Sequence, residues 1–125
     1  MYEITVEEGF RAGHQVRMYD GRLEDRHEHD WRVEVTLAAE QLDPIGVVYD
    51  FLTLRPMLKE AIAPLGVPRL NDVPALAGQN PTAEHVARYV FGEMAARLGP
   101  DAGLVSVRVW EAAGASAVYR PTPSP

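Results

Sequence analysis

The chain opens with alternation. In "YEITVEEGF" (2–10), Tyr2, Ile4 and Val6 fall on one face and Glu3, Thr5 and Glu7 on the other, which predicts a half-buried strand. "DWRVEVTLAAEQL" (30–42) repeats the pattern, with Trp31, Val33, Val35 and Leu37 on one side. Residues 12–29 between them carry a turn signal at Asp20-Gly21 and either extend both strands into a long hairpin or form a loop. The period then changes. After Asp50, a suitable N-cap, Phe51, Leu54, Leu58, Ile62 and Leu65 recur at helical spacing. Pro56 falls inside this run and predicts a kink, and Gly66 ends it. Residues 67–81, with three prolines, read as a connector. Residues 80–99 predict a second helix, with Asn80 as cap, Pro81 at the first helical position and Glu84 near the positive end. Its apolar stripe is Val86, Val90, Met94 and Leu98, and Gly99-Pro100 stops it.

A third strand follows at 104–112, with Val105, Val107 and Val109 on one face and Ser106, Arg108 and Trp110 on the other. A fourth, at 115–120, is joined through Ala113-Gly114. The order ββααββ predicts an α+β fold with an antiparallel four-stranded sheet. The expected domain covers residues 1–119, and the proline-rich tail 120–125 is expected to be disordered.

Composition narrows the chemistry. The 125 residues suit one domain. There is no cysteine, so disulfides, thiolate metal sites and cysteine nucleophiles are excluded. The net charge is −6, with Lys59 the single lysine beside eleven arginines and no basic run, which argues against nucleic acid as a partner. No apolar stretch is long enough to cross a membrane, and the acidic, alternating start is unlike a signal peptide; the expectation is a soluble cytoplasmic protein.

One short stretch stands out. "EDRHEHDW" (24–31) places His27 and His29 two residues apart, on one face if they lie in a strand. Two neutral imidazoles on one face can share a metal, and His14, at the end of the first strand, can supply a third. The alternative is a pair of ordinary polar residues on a solvated strand. Under either reading Glu28 and Asp30 point to the opposite face. His85, inside the second helix, reads as a surface or interface residue.

In order along the chain, "FRAGH" (10–14), "HEHDW" (27–31), "GVVYDF" (46–51), "LND" (70–72), "NPTAEH" (80–85) and "VRVWEAAGASAVY" (107–119) resemble segments of the 6-pyruvoyl- and 6-carboxy-tetrahydropterin synthase family. The resemblance implies the tunnelling fold (T-fold), with two helices on one face of the sheet. It implies Zn2+ as cofactor, with His14, His27 and His29 as its ligands. Glu111 would anchor a pterin by accepting its two adjacent N–H donors, and Thr82 would help bind the same ring. It also implies a homo-oligomer, hexamer or tetramer, with sites at subunit interfaces.

The chain departs from that family where the chemistry lies. The family's cysteine precedes the histidine pair, but here Leu23, Glu24, Asp25 and Arg26 occupy those places. An Asp-His pair is replaced by Gly66 and Val67. Glu24 resembles a variant group that carries glutamate in the cysteine region and cleaves the substrate's side chain to give 6-hydroxymethyl-dihydropterin. Read on their own, Glu24 and Asp25 are solvated loop acids. Three functions remain open. The first is a zinc-dependent lyase acting on 7,8-dihydroneopterin triphosphate or a relative, with Glu24 as catalytic base. The second is a non-catalytic pterin-binding oligomer that keeps zinc, and the third is a scaffold with structural zinc.

Overall fold

The computed structural model describes residues 1–123. Strands β1 (Tyr2–His14), β2 (His27–Ala39), β3 (Leu104–Ala112) and β4 (Ala115–Tyr119) form one antiparallel sheet in the order β1-β2-β3-β4. Helices α1 (Phe51–Ile62) and α2 (Ala83–Leu98) lie between β2 and β3 in sequence. Helix α1 packs on β1, and α2 packs on β3 and β4. The fold is therefore α+β in the expected ββααββ order. Residues 120–123 are exposed and carry no regular structure, while Ser124 and Pro125 of the expected disordered tail lie outside the described residues.

Residues 12–14 and 27–29 extend the strands, so the hairpin alternative holds. The pairing runs without a slip from Tyr2 opposite Ala39 to His14 opposite His27. Residues 15–26 close the hairpin through a bridge between Arg17 and Leu23. On the inward face Val6, Val33, Val35 and Leu37 are buried together with Leu54, Leu58, Val86 and Val90 from the helices. Glu8 shares that face but lies where α1 crosses, and Arg55 of α1 reaches it at 3.5 Å.

Four local expectations need correction. Phe51 is half exposed: as the first residue of α1 it precedes the stripe that packs inward. The α-helix ends at Ile62, and Ala63–Leu65, which contains Pro64, tightens into a 3-10 turn. The second helix is capped by Thr82, whose hydroxyl accepts from His85 N at 3.3 Å, rather than by Asn80. Asn80 is occupied elsewhere: its side chain accepts from Arg17 N at 2.7 Å and donates to Arg17 O at 3.0 Å. In β3 the inward face is Leu104, Val107 and Val109, with Val105 left out of the core. A bulge causes this. Thr36 pairs with Ser106 but Leu37 pairs with Leu104, so one extra residue switches the face. Gly103, at φ +81°, leads into the bulge, and a Cβ there would collide with the Ala38 carbonyl.

Candidate metal and substrate site

The inward alternation of the hairpin does not stop at the apolar core. After Leu37, Val35, Val33 and Trp31, the next inward positions of β2 are His29 and His27. On β1, Ala12 lies opposite His29 and His14 opposite His27. The three imidazoles therefore meet at one end of the sheet, with ring centroids 4.4 to 5.3 Å apart. Trp31 forms the floor. It is fully buried, donates from Nε1 to Ala12 O at 3.1 Å, and stands edge-on to His14 and His29. Glu111 of β3 shares the inward face with Val107 and Val109, and its Oε1 lies 2.7 Å from His14 Nε2. Donor atoms of His14, His27, His29 and Glu111 all lie within 4.8 Å of one another.

Hydrogen bonds assign the ring nitrogens. His14 Nδ1 donates to the Pro81 carbonyl at 2.9 Å, so Nε2 carries the lone pair. That Nε2 is close to Glu111 but not aligned with it. Among the described residues it is the one buried side-chain polar atom without a hydrogen-bond partner. A buried, unpartnered lone pair costs free energy unless something binds it. His27 Nε2 donates to Glu24 Oε1 at 2.8 Å, which leaves Nδ1 facing His29 Nε2 at 2.6 Å. Burial, reinforced by the neighbouring histidines and opposed by Glu111, holds His29 below the usual histidine pKa. Neutral imidazole is the form that binds metals. Three imidazoles and one carboxylate without thiolate suit a single borderline ion such as zinc.

Glu24 is partly exposed and doubly hydrogen-bonded: its Oε1 also accepts from Val16 N at 2.9 Å. The His27 hydrogen bond holds its carboxyl below the usual carboxylate pKa, against a smaller opposing effect of burial. Thr82 lies beside Pro81, whose carbonyl orients His14, and its hydroxyl is used as the α2 cap. Glu28 and Asp30 point outward as expected, both bound by Arg11 at 3.1 and 3.0 Å. His85 stands apart, donating from Nδ1 to Asn80 O at 2.6 Å. Beside the site a polar cavity of 580 Å³ is lined by Arg17, Leu23, Arg69, Asn71, Gln79 and Asn80, among others. Gln15 joins the two, accepting from Arg69 at 2.6 Å and donating to Glu24 O at 3.1 Å.

The family model described as 6-pyruvoyl tetrahydropterin synthase matches residues 3–122. A 6-carboxy-5,6,7,8-tetrahydropterin synthase of Synechocystis is 32% identical over 124 residues, 95% of this chain and 93% of its own length. The chain belongs to the 6-pyruvoyl tetrahydropterin synthase family. A dihydroneopterin monophosphate aldolase of Pyrococcus furiosus is 28% identical over 108 residues, 86% of this chain and 88% of its own. The Caenorhabditis elegans 6-pyruvoyl tetrahydropterin synthase has the same fold, with TM-score 0.80 over 98% of both chains at 23% identity. So has a Plasmodium vivax synthase variant in which a catalytic glutamate is replaced by cysteine, with TM-score 0.78 over 98% of both chains at 13% identity.

The fold is thus the T-fold of a pterin-metabolising enzyme family. Leu23 to Arg26 offer no thiol before the histidine pair, and the side chain turned to the histidines there is Glu24. Gly66 is exposed and Val67 packs against the core, and neither side chain has a group that can take or give a proton. No helix among the described residues is long and apolar enough to cross a membrane.

Proposed function

We propose that this protein is a zinc-binding 6-pyruvoyl tetrahydropterin synthase-like enzyme with an altered catalytic centre. Its substrate would be a reduced pterin such as 7,8-dihydroneopterin triphosphate, and its reaction a lyase cleavage of the side chain. One observation carries the reading: the unpartnered Nε2 of buried His14 faces the donors of His27, His29 and Glu111, with Glu24 hydrogen-bonded to His27 at the rim.

His14, His27 and His29 would hold the ion. Zinc, when bound, lowers the pKa of a nearby hydroxyl and stabilises negative charge developing on oxygen. Glu111 would accept the two adjacent N–H groups of the pterin, with Thr82 beside the ring. Glu24, ionised, would take the proton of the C2′ hydroxyl. The C1′–C2′ bond then breaks, C2′ leaves as an aldehyde and its electrons move into the dihydropterin. Returning the proton to C1′ gives the 6-hydroxymethyl product. This cleavage needs one proton removed and one returned, which a single carboxylate can manage. The synthase rearrangement moves more protons, and Gly66 and Val67 supply no relay. The glutamate of the Plasmodium vivax synthase and the aldolase of Pyrococcus furiosus support the same reading. Arg17 and Arg69, lining the adjoining cavity, would receive an anionic tail.

The absence of the Asp-His pair favours a second reading, a pterin-binding homologue without turnover. Incubating the zinc-loaded protein with 7,8-dihydroneopterin triphosphate and identifying products by mass spectrometry separates the two. A 6-hydroxymethyl product that disappears in Glu24→Gln, with zinc retained, supports the enzyme. Binding without product supports the second reading, and neither binding nor product refutes both.

The active form would be a cytoplasmic homo-oligomer, hexamer or tetramer, of single-domain subunits with sites at the interfaces. Among the described residues the outer edges of β1 and β4 have no strand partner, and an unpaired edge is a template for another strand. Exposed Ile45, Phe51 and Leu52 line an apolar cavity of 780 Å³ near the β1 edge. Light scattering in solution would give the subunit number.

A further inference from the structure

Glu111 stands closer to the histidines than a substrate anchor requires. Its Oε1 is 2.7 Å from His14 Nε2 and 3.4 Å from His29 Nε2. The strand geometry permits this. Trp110 and Arg32 are the last β2–β3 pair, and the β3–β4 register shifts between Trp110 and Ala112, so Glu111 stands at an irregularity just beyond the ladder with its carboxylate against His14 and His29. Its carboxylate is about two-thirds buried against the rings. Donors at about 2.0–2.1 Å from one tetrahedral zinc stand about 3.3 Å apart. The contact to His29 already has that spacing. The contact to His14 is shorter and lacks hydrogen-bond alignment, which an ion entering between the two atoms would relieve. Three histidines holding a tetrahedral ion would leave one coordination position open, and the Glu111 carboxylate would fill it.

We infer that Glu111 is an exchangeable fourth metal ligand: without substrate its carboxylate closes the metal's coordination, and an incoming pterin opens the site by drawing that carboxylate onto its own N–H donors. The inference rests on the pterin reading above and adds to it a coupling between heterocycle recognition and metal exposure. The carboxylate has two oxygens and about four acceptor positions, enough for a metal or for a bidentate pair of N–H donors. The two demands draw it in different directions. A molecule without the paired N–H donors would therefore meet a metal with no free position, so a stray hydroxyl compound is not activated. By linkage, a pterin that takes Glu111 without replacing it on the metal must also weaken metal binding by the factor by which the metal weakens its own.

The test uses the full-length protein loaded with Co2+, whose visible absorption reports coordination number, and X-ray absorption of the Zn2+ form. The probe is 7,8-dihydropterin, which has the N–H pair but no side-chain hydroxyls. Wild type should show an intense four-coordinate band and three nitrogens plus one carboxylate oxygen around zinc. Glu111→Gln should bind Co2+ at least tenfold more weakly and show a weaker band as water enters. Adding 7,8-dihydropterin to wild type should weaken the band in the same way, and adding it to Glu111→Gln should change nothing further. Identical spectra and affinities for wild type and Glu111→Gln overturn the inference and leave the proposed function standing. So does a wild-type spectrum unmoved by a pterin that binds, a result that holds even where the variant misfolds. A wild type that binds neither metal overturns this inference and the proposed function together.

Discussion

The two ends of the β1–β2 hairpin use one inward face for opposite purposes. At the end under the helices, Val6, Val33, Val35 and Leu37 meet Leu54, Leu58, Val86 and Val90, and all are buried. At the other end the same alternating positions carry His14, His27 and His29, and exposure rises to 41% of the His27 side chain. The helices supply apolar cover at the first end. At the second the cover is a carbonyl from Pro81 and carboxylates from Glu24 and Glu111. Backbone period decides only which way a side chain points. The apolar end gains stability from area and close packing, where shape matters most. The histidine end carries polar donor atoms, whose value depends on direction as well as on area.

Substitutions at the two ends should separate metal binding from stability. The largest effect belongs to His29→Ala. Removing one donor should lower metal affinity by about 100-fold or more and abolish turnover, read by competition with a chromophoric chelator. Its metal-free melting temperature should stay within a few degrees of wild type. Leu37→Ala should do the reverse, costing about 2–5 kcal/mol in urea unfolding while the folded fraction binds metal normally. Trp31→Phe falls on the boundary. It loses the bond to Ala12 O and the edge contacts that steady His14 and His29, so it should cost about 1 kcal/mol and weaken metal binding several-fold. Calorimetry with and without zinc would read both effects in one variant. Glu28→Gln, on the outward face with exposed Arg11, should change either quantity least, by under about 0.5 kcal/mol. A large loss of metal from Glu28→Gln, or of stability from His29→Ala, would erase the distinction between the two ends.

Much of the fold was legible because long runs keep one period. Ile4 and Val6, then Trp31 through Leu37, need only alternation, and the order of six elements follows. What the sequence hid were single residues whose roles depend on distant partners. Asn80 is a good cap by type, but Arg17, 63 positions away, holds its side chain, and Thr82 takes the end of α2. Val105 belongs to a regular alternation that one bulge interrupts, and Gly103 before it was the available hint. At the site, His14, His27 and His29 were expected to converge because i and i+2 share a face and the strands pair. The approach of Glu111 to them was not foreseen, although the run Val107, Val109, Glu111 already put it on the inward side. Glu24 had two readings in the sequence. Its bonds to His27 and Val16 come from the curl of residues 15–26, which no period announces.

The pairing of His14 with His27 has a consequence for how the chain reaches its native state. Strand register is a discrete choice, and a slip of one residue turns every side chain of β2 over. Such a slip would send His27, His29 and Trp31 to the outward face while His14 stayed behind. The in-register hairpin gathers three imidazoles and the one-residue slip does not, so an ion that binds all three would select against that slip. Metal uptake would then act as a proofreading step in folding, rewarding the one alignment that also buries Val33, Val35 and Leu37.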